Sequence, residues 1–207
     1  AISQLAPEPQ LISASKTGAP GAGWSTLPAI SNDGRVIAYV STAPDLVPND
    51  KNNKADIFIH DRLEGVTRRV SINSQGGEAN GWSYRFALSG DGRMVVFTSI
   101  ASNLVSDDQN GTADVFIYDR LTGATTLISR GTDGSPANGW SDWPDISHDG
   151  RYITFSSSAS DLVHGDTNNT VDVFVFDRLT GQTRRASVSS DAGQGDATSG
   201  WATSISG

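Results

Sequence analysis

Three loops of this 207-residue chain carry the same oxygen-bearing side chains: Asp50, Asn52 and Asp56; Asp108, Asn110 and Asp114; Asp166, Asn168 and Asp172. Each reads D-x-N-x-x-x-D and puts carboxylate or amide oxygens at loop positions 1, 3 and 7. Calcium takes roughly six to eight oxygen ligands, and such a loop offers three side chains to which backbone carbonyls and water can add. Position 5 is Thr112 or Thr170 in two loops but Lys54 in the first, where only a carbonyl could serve. The Gly and bidentate Glu of the calcium-binding helix-loop-helix are absent. A second reading uses no ion: the Asp and Asn side chains form Asx-turns, cap loop amides, and let the last Asp open a strand.

Tryptophan recurs with the same regularity. Trp24, Trp82 and Trp140 lie in G-W-S at a spacing of 58, and Trp201 follows in G-W-A after 61. Exposed indoles beside polar loops could stack on sugar rings or clamp a peptide, whereas buried ones would fill gaps between units with the indole N–H bonded to a carbonyl. Repetition favours the second, because a lattice contact must repeat and a ligand contact need not. Trp143 occurs in the third unit only, where the others have Leu27 and Arg85, and is the better candidate for a unit-specific contact.

Catalytic patterns are missing. His60, His148 and His164 fall at unrelated places in their units, and no H-E-x-x-H, G-x-S-x-G, Walker or dinucleotide fingerprint occurs. The expectation is that these residues carry no catalysis. With no cysteine there is no disulfide framework or thiolate metal site. A net charge of −8 disfavours nucleic acid and anionic membrane as partners, and no apolar run is long enough to span a bilayer.

The elements that position these residues follow from the repeat. Ser31 to Arg35, Ser89 to Arg93 and Ser147 to Arg151 read S-x-D-G-R or its variant, and D-R-L begins at Asp61, Asp119 and Asp177. Between the markers lie short runs rich in β-branched and aromatic residues: in the first unit Leu27 to Ser31, Arg35 to Ser41, Asp56 to Asp61 and Thr67 to Ile72. Asp-Gly and Thr-Gly or Glu-Gly pairs supply tight hairpin turns. Each unit is thus a four-stranded antiparallel meander, strands a to d, and units of this size predict the blades of a β-propeller. Strand direction alternates, so the d-to-a and b-to-c connections emerge on one face, bringing the tryptophans and acidic loops to the same side.

The combination of S-x-D-G-R before an apolar strand, L-V-x-x-D-x-N-x-x-x-D-[VI]-F and D-R-L-x-G resembles the TolB-type, WD-repeat-like β-propeller repeats of bacterial secreted and periplasmic proteins, from about Leu11 to Gly207. The resemblance implies an all-β partial β-propeller of three four-stranded antiparallel blades plus flanking strands, in a periplasmic or secreted protein. It implies a non-enzymatic scaffold or binding module for a protein partner, to which the oxygen spacing of the loops adds calcium as the ion that would set loop shape. The alternatives are a carbohydrate-binding propeller and the non-catalytic domain of a secreted peptidase. The expected layout is an extension over 1–9 and one repeat domain over 10–207. Its blades are expected near 24–72, 82–130 and 140–189, with a strand-d-like piece at 10–15 and a strand-a-like piece at 201–206. Three blades leave two open edges, which self-association or further repeats of a longer chain would close. The second is the simpler expectation, because joining two copies head to tail sets a strand a beside a strand d with no b or c between.

Overall fold

The computed structural model describes residues 9–191, 193–195, 197–200 and 202–206. Twelve strands are present among them. They are β1 (Ser25–Ile30), β2 (Val36–Ser41), β3 (Asp56–Asp61), β4 (Val66–Arg69), β5 (Ser83–Leu88), β6 (Met94–Ser99), β7 (Asp114–Asp119), β8 (Ala124–Leu127), β9 (Ser141–Ile146), β10 (Tyr152–Ser157), β11 (Asp172–Asp177) and β12 (Gln182–Arg185). They form three antiparallel sheets, β1-β2-β3-β4, β5-β6-β7-β8 and β9-β10-β11-β12, with every neighbour also adjacent in sequence. These are blades 1, 2 and 3. The chain is an open, partial β-propeller.

In blades 1 and 2 the two middle strands are buried almost throughout, which explains their runs of Val, Ile and Phe. Side chains alternate between the faces, so each blade divides its apolar residues between two neighbours. Val36, Ala38, Val40, Ile57 and Ile59 of blade 1 pack with Val95, Phe97 and Phe116 of blade 2. Met94, Val96, Val115 and Ile117, on the other face of blade 2, pack with Ile153, Phe155 and Phe174 of blade 3. The core thus contains two equivalent seams between blades and a smaller cluster of Tyr39, Ala43, Leu46 and Phe58 on the outer face of blade 1.

The repeated S-x-D-G-R and D-R-L motifs hold each blade together. Ser31 Oγ donates to Asp33 Oδ1 at 2.6 Å and accepts from the Val36 N–H, while the Arg35 N–H donates to the same Asp33 oxygen. Arg35 then reaches Asp61 at the far end of β3, with Nη2 2.9 Å from Oδ2. Asp61 also receives Arg120 of blade 2 at 3.1 Å, an ion pair that crosses the seam. Its arginines and the N–H groups of Leu63 and Glu64 hold the Asp61 carboxyl well below the usual carboxylate range. Arg93 with Asp119 and Arg151 with Asp177 repeat the clip within blades 2 and 3.

Turn amides link the blades in sequence: the Asn32 N–H donates to the Gly90 carbonyl, and the Gly90 N–H donates to the His148 carbonyl, each at 2.9 Å. The expected flanking strands are not strands among the described residues. Residues 10–15 contribute one isolated bridge, Ala14 to Pro20, which is repeated by Ile72 to Glu78, Arg130 to Pro136 and Val188 to Gln194. Residues 202–206 form no strand, although the Ile205 N–H donates to Asp145 Oδ2 and Thr203 Oγ1 donates to the Trp143 carbonyl. Among the described residues no strand b or c stands beside these two pieces for them to pair with.

Candidate functional site: the indole and acidic-loop face

Each G-W-S stretch enters strand a by passing against the start of the b-to-c loop. A Cβ on Gly23, Gly81 or Gly139 would lie 2.6 to 2.8 Å from backbone atoms of Thr42 and Ala43, Ile100 and Ala101, or Ala159 respectively, so only glycine fits. The tryptophan carbonyl is equally fixed: Trp24 O accepts from the Thr42 N–H and Ser41 Oγ, and Trp82 O and Trp140 O repeat both bonds. The rings are less confined than repetition suggests. Trp24 is 49% exposed and Trp82 is 41% exposed, while Trp140 is half-buried. What repeats by steric necessity is therefore the glycine and the backbone, and the indoles of blades 1 and 2 face solvent.

Trp201 lies outside the described residues. The Ser83 and Ser141 N–H groups donate to Ala55 O and Ala113 O, and the next such bond comes from the Ser199 N–H to Val171 O. The 58-residue register thus passes through Ser199, ahead of Trp201, and the fourth G-W is not in phase with the other three.

The acidic loops are internally bonded. Asn52 Nδ2 donates to Asp56 Oδ2 at 2.8 Å and to the Ala79 carbonyl, while Asn52 Oδ1 accepts from the Lys54 N–H. Ser71 Oγ donates to the other Asp56 oxygen at 2.5 Å. Asn110 with Asp114 and Ser129, and Asn168 with Asp172 and Ser187, repeat the arrangement. These bonds tie the last Asp of the loop, the end of strand d and the link to the next unit into one knot. Among the described residues no group of three or more His, Cys, Asp or Glu is placed to hold a metal ion.

A residue that the sequence reading passed over completes the knot. Arg69 Nη1 lies 3.1 Å from Asp50, 3.4 Å from Asp56 and 3.1 Å from Glu78, and Arg185 Nη1 lies 3.2 Å from Asp166 and 3.9 Å from Asp172. A guanidinium thus stands between the two carboxylates in blades 1 and 3. Blade 2 has Leu127 at that place, and Arg130 pairs with Asp107 instead, at 2.6 Å. Asp108 and Asp114 are left buried without the arginine. Burial pushes the Asp114 carboxyl up to about 6, against the hydrogen bonds of Ser129 and Asn110, and raises Asp108 as well. The column 69, 127, 185 reads Arg, Leu, Arg, a signal available in the sequence.

Trp143 belongs elsewhere. Leu27, Arg85 and Trp143 occupy the same place in their inner strands and have φ of 51°, 43° and 56°, the left-handed region, at a bulge where the pairing to strand b slips. The Arg85 guanidinium lies 3.8 Å from the centre of the Trp143 ring and pairs with Asp142 at 2.7 Å. Leu27, Arg85 and Trp143 line one cavity of about 540 Å³. Trp143 is thus joined with residues of the other blades and is not on the G-W surface. The three histidines remain apart: His60 bonds Thr67, His148 contacts Asn32, and His164 is exposed in its loop.

No protein-family model matches the chain, and no curated protein is similar to it in sequence. Solved structures are. A TolB candidate from Agrobacterium tumefaciens is 22% identical, with a TM-score of 0.50 over 82% of this chain and 50% of that one. The β-propeller domain of the Trilobed protease from Pyrococcus furiosus is 16% identical, with a TM-score of 0.50 over 78% of this chain and 41% of that one. TolB from Acinetobacter baumannii is 17% identical, with a TM-score of 0.47 over 83% of this chain and 34% of that one. This chain therefore spans a third to a half of the length of these structures. The chain has the TolB-type β-propeller fold, and at these identities the likeness is one of fold.

Proposed function

We propose that the chain is a non-enzymatic binding module that engages a protein partner through the indoles of Trp24 and Trp82. The observation that carries this reading is the contrast within one face: the repeated Asp and Asn side chains are spent on the loops themselves, whereas Trp24 and Trp82 each keep nearly half of their surface exposed on fixed backbone. Large aromatic side chains held this way lose little freedom on binding and supply much of the contact energy at interfaces. The net charge of −8 suits a basic partner, and a periplasmic or secreted setting fits the resemblance of the repeats. Calcium belongs to this proposal only at the blade 2 loop, where no arginine stands between the carboxylates.

The test is partner capture by crosslinking from the native source, with the Trp24→Ala/Trp82→Ala variant as the comparison. Loss of a specific crosslinked protein in the double variant, with its melting curve intact, is the expected outcome. An unchanged crosslinking pattern would defeat the proposal. Saturable binding to glycans in place of protein, lost in the same variant, would move it to the carbohydrate alternative.

A further inference from the structure

A pocket of about 450 Å³ lies between the connection from β4 to β5 and the loop between β6 and β7, both on the indole face. One wall is Asn73, Ser74 and Gln75, the other is Ser102, Asn103 and Ser106, and Leu104 and Val105 are the apolar part of the lining. Its size falls within the about 300–1,000 Å³ of small-ligand sites. The walls belong to the middle of the chain and blade 2 has a neighbour on each side, so no chain end leaves this pocket open.

Much of the frame is pinned. Asn73 Oδ1 accepts from the N–H groups of Gln75 and Gly77, at 3.1 and 2.8 Å, and Asn73 Nδ2 donates to the Asn103 carbonyl of the opposite wall at 3.4 Å. A Cβ on residue 77 would lie 2.8 Å from Asn73 Nδ2, so Gly77 leaves room for this side chain to fold over its turn. Asn103 Oδ1 accepts from the Asn80 N–H at 2.9 Å and its Nδ2 donates to the Glu78 carbonyl at 2.8 Å. Gln75 and Ser106, by contrast, are exposed, and among the described residues neither side chain has a hydrogen-bond partner. A fixed frame thus carries free donors and acceptors.

The sister blades show that the fold does not demand this lining. Blade 1 has Lys16 and Asp45 at the places of Ser74 and Asn103, and blade 3 has Asp133 and Asp161 at those of Gln75 and Asn103. Blade 2 alone has an uncharged amide or hydroxyl at all six polar positions, in a chain whose net charge is −8. Asp45 and Asp161 accept from the N–H groups of Ala22 and Asn138 as Asn103 accepts from that of Asn80, so the turn works with a carboxylate and the amide is particular to blade 2. Asn73 and Gly77 change together in the same way, to Ser15 with Ala19 and Gly131 with Ser135.

We propose that this pocket binds a neutral saccharide. Each sugar hydroxyl both donates and accepts, and so do the amides and hydroxyls of the two walls. Half-buried Val105 is an apolar surface for ring C–H groups. An uncharged ligand accounts for the loss, in this blade only, of the charges that its sisters keep. The ligand and the residues differ from those of the protein-partner reading although the face is the same, so either can fail alone.

The probes are maltose, cellobiose, lactose and N,N′-diacetylchitobiose, each titrated to about 10 mM into the whole isotope-labelled chain. At least one is expected to bind saturably, with a dissociation constant of about 1 mM, and to shift the side-chain amide resonances of Asn73, Gln75 and Asn103. Gln75→Asp and Asn103→Asp install side chains that the sister blades carry at those places, so both variants should fold. Each is expected to weaken the sugar about tenfold, the scale of one lost hydrogen bond, whereas the Trp24→Ala/Trp82→Ala variant binds it as the parent chain does. Failure of all four sugars to give saturable shifts overturns the proposal, and so does affinity unchanged in both pocket variants. Binding lost in the tryptophan variant would assign the sugar to the indoles and overturns it as well.

Discussion

Gly81 and Trp82 are neighbours in the repeated dipeptide but respond to different forces. A methyl group at position 81 would meet the backbone of Ile100 and Ala101 at 2.7 Å, and no side-chain rotation relieves a backbone clash. Gly81→Ala is therefore expected to cost about 2 to 3 kcal/mol, the scale of overpacking in a closed site. Trp82→Ala removes a ring that is 41% exposed and should cost about 1 kcal/mol. Urea midpoints of the two variants decide between them, and a larger loss for tryptophan would mean that the indole is the structural member of the pair. The recurrence of both residues was plain in the sequence. Their division of labour was not, because a column of identical residues does not say whether a side chain or its backbone is being kept. The same holds for Asp61, whose part in a seam-crossing pair depends on Arg120, 59 residues away.

At the scale of elements, the b-to-c loops show what one substitution does to a shared design. Burial raises Asp114 to about 6, and blade 2 has Leu127 where Arg69 partly offsets the same burial at Asp56, whose carboxyl is raised too. The folded state then holds this proton more tightly than the unfolded chain, whose carboxyl titrates near 3.9. The stability contribution is fully present below about pH 4 and is lost as pH rises through about 6, amounting at most to about 3 kcal/mol. Leu127→Arg should bring the Asp114 midpoint back toward the ordinary carboxylate range and flatten the stability profile between those values. Carbon-detected titration of the side-chain carboxyl measures the midpoint directly, and one that stays near 6 in the variant would refute the account. Strand positions themselves were legible, because apolar runs closed by Asp-Gly turns leave few alternatives: β3 was placed at its observed limits and β2 within one residue. The left-handed Leu27, Arg85 and Trp143 were not, since none of the three is a residue type that signals positive φ.

For the whole molecule, the seams set a gradient of protection. Blade 2 has a blade on each side, whereas blade 3 has one seam and, among the described residues, a second face that meets Gly200 and Thr203. Amide exchange is therefore expected to be slower in β7 and β8 than in β11 and β12, despite near-identical strand lengths and pairing. Equal rates measured by mass spectrometry would mean that the three blades open as one unit. This gradient could be anticipated from the repeat alone.

The hydrogen bonds from Asn32 to Gly90 and from Gly90 to His148 always run the same way. A linkage with such a direction has a head and a tail, like a row of identical hooks and eyes. Copying 58 residues in frame would hand the newcomer a hook and an eye that already match, so the length of the row is free to drift by whole units over evolutionary time while every join stays the same.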